Sequence, residues 1–326
     1  MVRCHSAMPL RSQGLAKARW CLSDLKIAAV SDLHVLPDTT DDKLLQEIHQ
    51  RVEEIEPNFF VIAGDISDRA TVLERSLDLL HAKGAVNLFV PGNHDIWFEE
   101  NGGAGSQEKY SHILGEVCKR TGFHYLPNEP HISDDTAFIG TIGWYDYSFR
   151  REDMGIAIED YEGKEHRGAV WYDLFRVDWR FTDREATELF NKKIKYDIDS
   201  LPDTVTRIVY VSHHLPFREL TVYKNRFPWD FHSAFMGATS TGQILEEEER
   251  VILSISGHSH IRSSIRTNGL TAMTVPLGYG RPSADGMSEF VRAAVAEIRI
   301  DGESVALPGF VEGDICKGLG YVAPRR

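Results

Sequence analysis

The stretch Pro91-Gly92-Asn93-His94-Asp95 decides the fold of this chain. It directly follows the apolar run of residues 85–90, which predicts a buried β-strand. A strand that ends in Gly-Asn-His-Asp places a carboxamide, an imidazole and a carboxylate on one short loop, where all three can face the same cleft. The stretch therefore predicts a catalytic loop at the end of a strand.

Four further stretches repeat this arrangement of an apolar strand followed by Asp or His. They are Asp32-Leu33-His34, Gly64-Asp65-Ile66-Ser67-Asp68, His213-His214 and Gly257-His258-Ser259-His260. In open α/β sheets, ligands bind beyond the carboxyl ends of the strands. We therefore expect the five strand ends to converge on one site.

The N-terminal part of the chain alternates strands and helices over residues 25–90, which is typical of βαβ units and a parallel sheet. Helices are predicted over residues 41–56 and 70–82 because each has a single apolar stripe, and Pro57 ends the first.

The C-terminal half predicts a different arrangement. Thr182-Asp183-Arg184-Glu185 is a capping box, so we expect a helix from there to about Ser200. Short runs with tight turns at Asn268-Gly269 and Asp301-Gly302 are typical of antiparallel strands. These strands are predicted near residues 261–266, 270–275 and 291–300.

Composition excludes some classes of function. The chain has 326 residues, of which 42% are hydrophobic and 26% charged, as in a soluble globular protein. It carries 36 basic and 49 acidic side chains, a net charge of −13, which argues against a broad nucleic-acid surface. A small anionic substrate remains compatible with this charge, because bound metal ions invert the field in an acidic cleft.

The cysteines and the chain ends predict a cytoplasmic protein. Cys4, Cys21, Cys118 and Cys316 are scattered, which favours reduced thiols over a disulfide framework. Residues 1–24 contain no apolar core of signal-peptide length and are predicted to be a loose extension. The sequence has no uninterrupted apolar run long enough to span a membrane.

Residues 144–181 are unusually aromatic, with ten rings among 38 residues. Such a segment, interleaved with charges, predicts an irregular cap packed over the main domain. The alternative, which the sequence leaves open, is that the rings form only a satellite core. Its arginines, Arg150, Arg151, Arg176 and Arg180, are either solvated surface groups or anchors for a substrate phosphate.

The side chains in the five stretches predict a metal site. Asp32 and His34 are two residues apart, as are His258 and His260, so on an extended chain each pair faces one side. Carboxylate, carboxamide and imidazole ligands without a thiolate suit manganese, iron, zinc or related divalent ions.

In this order, the five motifs resemble the calcineurin-like metallophosphoesterase superfamily, whose pattern is D-x-H, G-D-x-x-D/E, G-N-H-D/E, a His after a strand, and G-H-x-H. The resemblance implies an α/β fold, a four-layer αββα sandwich with two central mixed β-sheets. Residues 25–310 would form this domain, with residues 144–181 as a cap-like insertion and 311–326 as a C-terminal tail.

The resemblance also implies a site with two divalent metal ions, manganese, iron, zinc or a mixed pair. One ion would be held by Asp32, His34, Asp65 and His260. The other would be held by Asp65, Asn93, His213 and His258, so that Asp65 bridges the two. A hydroxide between the ions would attack phosphorus. The catalytic residues would be His94, which protonates the leaving oxygen or stabilises charge there, and Asp95, which orients the His94 ring.

Two neighbouring positions need separate interpretation. His213 and His214 face opposite sides of a strand, so we expect only one of them to be a ligand. The family pattern favours His213, and for His214 a packing or supporting role is favoured over direct ligation, although the sequence does not decide between the two. Asp68 is expected to support the site from behind or to begin a helix, because Asp is favoured at helix starts. The histidines outside the motifs are expected to have surface or packing roles.

The predicted function is metal-dependent hydrolysis of a phosphoester bond in a small phosphorylated metabolite or nucleotide, bound in a pocket formed by the aromatic cap. The alternatives are a protein phosphatase or nuclease of the same superfamily and, as a different class, a scaffold without turnover. No membrane partner is expected, and a nucleic-acid partner is not favoured. The sequence leaves open the preference for monoesters or diesters, the metals and the oligomeric state.

Overall fold

Two six-stranded sheets form the centre of the protein. The computed structural model describes residues 24–98, 103–278 and 280–314. The expected N-terminal extension, apart from its last residue, and most of the expected C-terminal tail lie outside these ranges, so the domain boundaries stay predictions.

The strands of the described residues are short and mostly buried. They are β1 Leu25–Val30, β2 Phe59–Ala63, β3 Val86–Val90, β4 Phe123–Tyr125, β5 His131–Ser133, β6 Thr136–Gly140, β7 Glu165–His166, β8 Ala169–Val170, β9 Arg207–Val211, β10 Val251–Ser256, β11 Ser264–Thr267, β12 Leu270–Thr274, β13 Ala296–Asp301 and β14 Ser304–Ala306.

The α-helices range from single turns to the 18-residue helix α8. They are α1 Asp42–Ile55, α2 Ala70–Leu80, α3 Asn93–Ile96, α4 Ser106–Glu108, α5 Leu114–Thr121, α6 Ile158–Glu162, α7 Asp173–Arg176, α8 Asp183–Ser200, α9 Trp229–His232, α10 Thr239–Glu247 and α11 Met287–Ala294. A π-helical turn, Lys109–Ile113, joins α4 to α5.

Both sheets are mixed. The first has the order β14-β13-β1-β2-β3-β4, in which β1 to β4 are parallel and β13 pairs antiparallel with β1. The second has the order β11-β12-β10-β9-β6-β5, with four parallel central strands and antiparallel edges. The parallel βαβ units predicted at the N-terminal end are therefore confirmed.

The core lies in three layers of apolar contact. Between the sheets, Ile27, Val61, Leu88, Val209 and Leu253 belong to one cluster of fully buried side chains. Helices α1 and α2 pack on the outer face of the first sheet, and α8 and α10 pack on the outer face of the second. The arrangement is the predicted αββα sandwich, and it places the carboxyl ends of the parallel strands of both sheets at a common edge.

One predicted strand was wrong in its first half. Residues 291–294 belong to α11, and only the later part of the run 291–300 forms a strand, β13. Phe290, Val291 and Ala294 lie on one buried face at helical spacing, whereas valine and isoleucine make the run resemble a strand. The two predicted turns are confirmed, since they join β11 to β12 and β13 to β14. The capping box at Thr182 and Glu185 is also present.

The aromatic segment 144–181 fits both of the interpretations that the sequence left open. Trp144, Tyr145 and Tyr161 are almost completely buried and form part of the core. Trp171 and Tyr172, in contrast, line a cavity beside the strand ends. The segment therefore supplies both packing rings and a wall of that cavity.

The prediction of a cytoplasmic protein with reduced cysteines is tested only in part. Within the described ranges, no helix has both the length and the apolar character to cross a membrane. Cys118 is a buried free thiol, and the other three cysteines lie outside those ranges. A cytoplasmic location stays a prediction.

Candidate metal centre and active site

The five motif loops meet where the two sheets come together. Backbone hydrogen bonds join the loops, including one from the Asp32 amide to the Gly64 carbonyl at 2.9 Å and one from the His34 amide to the Asp65 carbonyl at 3.0 Å. The Asp32 carboxylate accepts the backbone N–H of His258 at 3.0 and 3.1 Å, which ties the first motif to the fifth. The five strand ends therefore converge on one site, as expected.

The predicted ligand side chains form two overlapping groups. Asp32, His34, Asp65 and His260 make one group, and Asp65, His213 and His258 make the other; within each group the ligand atoms lie within 4.8 Å of one another. Asp65 belongs to both, with Oδ2 at 3.6 Å from His34 Nε2 and 3.2 Å from His213 Nε2. This is the position expected for a bridging carboxylate.

Left-handed backbone produces this convergence. Asp32, His34, Asp65, His258 and His260 all have positive φ, between 43° and 67°. The prediction that each i, i+2 pair faces one side of an extended chain is therefore wrong. Turns of the backbone bring Asp32 and His34 into one ligand group, whereas His258 and His260 belong to different groups. Asp and His tolerate this conformation better than most residues, and its concentration at one site is typical of a functional centre.

Gly92 permits the close approach of the loops after β2 and β3. A Cβ atom added at Gly92 would lie 2.1 Å from Asp65 Oδ1. One added at Gly64, whose φ is +86°, would lie 2.5 Å from the Gly92 nitrogen and 2.7 Å from His213 Nδ1. The Asp65 carboxylate reaches its position only because both positions lack a side chain.

The imidazole tautomers indicate that a cation fits the second group. His213 Nδ1 donates to the Ala63 carbonyl at 2.8 Å, and His258 Nε2 donates to the Phe235 carbonyl at 3.2 Å. In neutral rings, the remaining nitrogens, His213 Nε2 and His258 Nδ1, are acceptors, yet they lie 3.1 Å apart. Two facing lone pairs repel unless a proton or a metal ion lies between them, so this donor pair suits a metal.

Asn93 provides a further indication that a metal fits. Its Oδ1 is buried without a hydrogen-bond partner among the described residues, while its Nδ2 donates to Asp173 Oδ1 at 2.9 Å. The hydrogen bond to Asp173 thus occupies the amide nitrogen of Asn93, and the amide oxygen is left as a potential metal ligand. Together with the surrounding carboxylates and imidazoles, this oxygen gives a hard donor set suited to divalent ions.

Asp173 holds Asn93 from within the aromatic insertion, and the sequence did not predict it. Its carboxylate is buried and also accepts from Trp97 Nε1 at 2.7 Å, Trp171 Nε1 at 2.8 Å and the Tyr145 hydroxyl at 3.1 Å. Strand ends were the signal used to find site residues, and Asp173 begins a short helix in an irregular segment. The aromatic residues around it were the only indication in the sequence.

His94 lies at the edge of the metal-ligand cluster, with about one third of its side chain exposed. Its ring stacks on Trp97 at a centroid distance of 3.7 Å, and Nε2 lies 4.0 Å from Asp65 Oδ2. Burial lowers the pKa of His94, and Asp65 offsets part of that shift. Both predicted roles of His94 at the leaving oxygen stay predictions.

Asp95 holds two motif loops together. Its carboxylate accepts four backbone N–H groups, those of Asp65, Ile66, Ser67 and Gly92, at 2.8 to 2.9 Å. These bonds clamp the loop after β2 to the loop after β3 and so position Asp65. The His94 ring stacks on Trp97 and contacts His34 edge-on, and the predicted role of Asp95 in orienting it stays a prediction.

The buried carboxylates have opposite pKa shifts. Burial raises the pKa of Asp32. Burial alone would also raise the pKa of Asp65, but the nearby imidazoles of His213 and His94 outweigh it and hold that pKa well below its usual value. The residue that belongs to both groups is therefore the one most readily ionised.

The adjacent residues take supporting positions. His214 packs against Trp144, and its Nδ1 donates to the Ile142 carbonyl at 3.2 Å, so of the pair only His213 is in the cluster. Asp68 pairs with Arg176 at 3.0 Å. The sequence offered four arginines as phosphate anchors. None of them is among the described residues that line the cavity.

A cavity of about 450 Å³ opens onto the cluster. Asp65, Asn93, His94, His258 and His260 lie in its wall, so the ligand groups face into it. The remaining lining is largely apolar and aromatic. It comes from the insertion, from the loop between β9 and α10 and from the end of α3, and it includes Trp97, Val170, Trp171, Tyr172, Val222, Trp229 and Met236. The volume is typical of a small-molecule site.

Comparison with known protein families tests the resemblance. The sequence profile of the calcineurin-like phosphoesterases matches residues 25–262. The chain belongs to the calcineurin-like phosphoesterase family. Membership makes it a metal-dependent phosphoester hydrolase with a dinuclear centre, and both the predicted family and the predicted class of enzyme are confirmed.

Individual relatives of this calcineurin-like phosphoesterase are distant. The [acyl-carrier-protein] phosphodiesterase PptH of Mycobacterium tuberculosis is 23% identical over 288 residues, covering 82% of this chain and 80% of PptH. The crystal structure of PptH, described as a phosphopantetheinyl hydrolase, aligns with a TM-score of 0.62 at 22% identity, over 78% of this chain and 89% of that chain. A dimetal phosphatase from Danio rerio aligns with a TM-score of 0.50 at 11% identity, over 89% of this chain and 96% of that one. These structures support the fold.

Proposed function

We propose that this phosphoesterase hydrolyses a phosphodiester, one arm of which is an uncharged organic chain that lies in the aromatic cavity. The observation that carries the proposal is the continuity of the cavity: one wall contains the ligand cluster, and the rest is apolar and aromatic.

The ions would be divalent, manganese, iron, zinc or a mixed pair. The residues proposed to hold them are Asp32, His34, Asp65 and His260 for one, and Asp65, Asn93, His213 and His258 for the other.

The two ions, when bound, neutralise the phosphoryl oxygens and activate the attacking water. Asp65 lies between the two ligand groups and fixes their spacing. The oxygen of water forms the new bond to phosphorus as the water loses a proton. The bond from phosphorus to the leaving oxygen breaks, and that oxygen takes up a proton, so the products are a phosphate monoester and a free hydroxyl group. His94 faces the cavity and donates a hydrogen bond to the leaving oxygen, while Trp97 holds the plane of its ring.

The similarity to PptH supports a diester with a phosphopantetheine-like arm. PptH is named for an acyl-carrier-protein substrate and for a phosphopantetheinyl group, and the match covers most of both chains. The sequence predicted a small phosphorylated metabolite or nucleotide. The proposal keeps a small arm in the cavity and allows the other ester group to be carried by a protein.

A second candidate is a nucleotide, since the rings of Trp171 and Trp229 in the cavity wall could stack on a base. A nuclease or protein phosphatase has less support, because the net charge is −13 and the cavity is bounded.

The test compares p-nitrophenyl phosphate, bis-p-nitrophenyl phosphate and a phosphopantetheinylated carrier protein as substrates. The protein is stripped with a chelator and then loaded with manganese, iron, zinc or magnesium. We expect metal-dependent turnover of the diester above the monoester, and loss of the phosphopantetheine mass from the carrier. Asp65→Asn should abolish both activities.

Asp197→Asn is the matched control, because Asp197 is equally buried but lies in α8, where its carboxylate is paired with Lys193. It should keep parental turnover. Hydrolysis of the monoester alone would contradict the diester preference. Two bound metal equivalents without turnover of any of these substrates would contradict the proposed function.

A further inference from the structure

Large apolar and aromatic side chains are exposed beside the mouth of the cavity. Tyr172 is 66% exposed, Leu174 39% and Phe175 57%. The rings of Tyr172 and Phe175 lie with their centroids 6.4 Å apart. Single exposed apolar residues are normal on a protein surface, but a cluster of them is typical of an interaction site. We call Tyr172, Leu174 and Phe175 the rim patch.

The rim patch continues the cavity wall outward. Tyr172 lines the cavity, whereas Leu174 and Phe175 are not among the described residues that line it. A substrate arm inside the cavity therefore has no need of Leu174 or Phe175, and the proposed chemistry does not use them. Because Tyr172 belongs to both surfaces, a partner that covers the rim patch lies next to the part of the substrate that leaves the cavity.

The backbone under the rim patch is held in place. Asp173, within this stretch, is buried and accepts the four hydrogen bonds described above. The Phe175 N–H donates to the Tyr172 carbonyl at 3.0 Å, and Arg176, next in the chain, pairs with Asp68 at 3.0 Å. A preformed surface of this kind loses little conformational entropy when a partner binds.

The segments that supply the cavity wall carry more basic than acidic side chains. Residues 164–180 and 218–230 contain seven basic and five acidic side chains, whereas the whole chain contains 36 and 49. Two of the five acids, Asp173 and Asp230, are buried. The basic residues are Lys164, Arg167, Arg176, Arg180, Arg218, Lys224 and Arg226. The protein is therefore acidic as a whole but positive in the segments around this cavity.

Two of these cations are placed beside the cavity by described contacts. Lys224 Nζ lies 3.0 Å from the ring centroid of Trp229, which lines the cavity. Arg167 is exposed at the turn of the β7–β8 hairpin, whose Val170 also lines the cavity. A partner with negative charge is attracted to this side of the protein and repelled by the rest of its surface.

We infer that the rim patch and the basic side chains around the cavity form a docking surface for an acidic protein that carries the substrate arm. The rim patch supplies the apolar centre of the contact, and Arg167 and Lys224 meet acidic side chains of the partner. The inference rests on the proposed function, in which one ester group of the substrate belongs to a protein.

The test compares two substrates with the same arm. One is an acidic carrier protein with phosphopantetheine attached, and the other is a p-nitrophenyl phosphodiester with a pantetheine-like arm and no protein. Phe175→Ser should raise the KM of the carrier protein about tenfold, as for an aromatic side chain truncated in the centre of an interface. The KM of the small diester and the kcat of both substrates should stay at the parental level, because Phe175 is outside the described cavity lining.

A second variant and a matched control complete this comparison. Leu174→Ser should give the same result as Phe175→Ser, and thermal unfolding identifies a variant that fails to fold. Tyr196→Ser is the control, because Tyr196 is 68% exposed but lies in α8 and is not among the described residues that line the cavity. It should leave the KM of both substrates unchanged.

Charge reversal tests the acidic character of the partner. Arg167→Glu should lower kcat/KM for the carrier protein about tenfold at low salt and much less at high salt, since dissolved ions screen the attraction. The small diester should change far less. Lys119→Glu is the control, because Lys119 is also exposed but lies in α5. It should leave kcat/KM for both substrates unchanged.

Direct binding separates the inference from the proposed function. If neither substrate is hydrolysed with any metal, the proposed function fails, and titration of the metal-loaded protein with the carrier protein then decides the docking surface. The Kd of the carrier protein should rise about tenfold in Phe175→Ser and stay unchanged in Tyr196→Ser.

Four results would overturn the inference. A parental KM for the carrier protein in both Phe175→Ser and Leu174→Ser would show that the partner does not touch the rim patch. An equal rise of KM for both substrates would assign the rim patch to support of the cavity. Dimers that Phe175→Ser dissociates, with no effect on the carrier protein, would make the patch an interface between two copies of this chain. Binding to anionic lipid vesicles that Phe175→Ser abolishes, again with no effect on the carrier protein, would make it a membrane-contact surface.

Discussion

Replacing Asp173 by Asn tests how the aromatic insertion supports the metal centre. The Asp173 carboxylate accepts four hydrogen bonds, two at Oδ1 from Asn93 and Trp97 and two at Oδ2 from Tyr145 and Trp171. An asparagine at this position offers one oxygen and one NH₂ group. Whichever way the amide turns, its NH₂ group faces two donors.

The expected loss of stability follows from the number of hydrogen bonds that the NH₂ group breaks. If the NH₂ group faces Tyr145 and Trp171, the tyrosine hydroxyl can rotate and accept, so one buried hydrogen bond to the indole is lost. If the NH₂ group faces Asn93 and Trp97, two hydrogen bonds are lost. The amide of Asn93 can avoid one of these losses only by flipping, which turns its oxygen away from the cluster. Hydrogen bonds to charged groups contribute about 1.5–3 kcal/mol each, so the loss of one or two bonds in Asp173→Asn should lower the free energy of unfolding by about 1.5–6 kcal/mol.

The more specific effect is on metal binding. We expect the affinity of the site that includes Asn93 to fall about 10- to 100-fold, as for other residues that orient a ligand from behind, while the site at Asp32 and His34 keeps its affinity. Thermal unfolding gives the stability, and calorimetric titration of chelator-treated protein gives the two affinities. Asp197→Asn, in α8, is the control for removal of a buried charge.

Two results would refute the reasoning. One is an Asp173→Asn protein that binds both metal equivalents as tightly as the parent protein. The other is a uniform loss at both sites in proportion to the lost stability, which would show that Asp173 supports only the fold.

Three further substitutions test the loops directly. His94→Ala should retain metal and lose about 10²- to 10⁴-fold in kcat for esters with poor leaving groups, but much less for p-nitrophenyl esters; equal losses for both would remove its leaving-group role. Gly92→Ala, whose Cβ would lie 2.1 Å from Asp65 Oδ1, should weaken metal binding at least about tenfold, whereas Gly84→Ala, with open space around its Cβ, should not. Asp95→Asn puts an NH₂ group against two backbone N–H donors and should lower the free energy of unfolding by about 2–4 kcal/mol in a urea titration; an unchanged midpoint would contradict the loop clamp.

The sequence could predict the metal-ligand cluster because its geometry follows from the parallel sheet. Asp32, Asp65 and Asn93 each follow a parallel strand, and in such a sheet the carboxyl ends lie at one edge. The same rule applies to His213 and His258 in the second sheet. The direction of each side chain was not predictable in this way, since it depends on left-handed residues at the strand ends.

The supporting residues could not be predicted, because they reach the site through long-range packing of irregular segments. Asp173 lies 80 residues from Asn93 in sequence and on no strand. The part of the cavity wall between β9 and α10 belongs to a loop whose shape is set by contacts such as that of Trp229 with Val222. The four hydrogen bonds to Asp95 have a related origin, because the meeting of two strands brings the backbone N–H groups to its carboxylate; its role toward the His94 ring stays a prediction.

The structure thus divides the proposed chemistry and the proposed selectivity between two kinds of element. The ligand groups stand on short loops at the ends of buried strands, where the sheet hydrogen bonds hold their positions. The cavity walls come from the insertion and the β9–α10 loop, which can vary without disturbing the sheets. Trp171 joins the two parts, since its ring lines the cavity and its N–H donates to Asp173, the residue that also holds Asn93. A substrate arm that packs on Trp171 therefore acts on the same hydrogen-bonded group that orients a metal ligand, and selectivity and catalysis are coupled through one carboxylate.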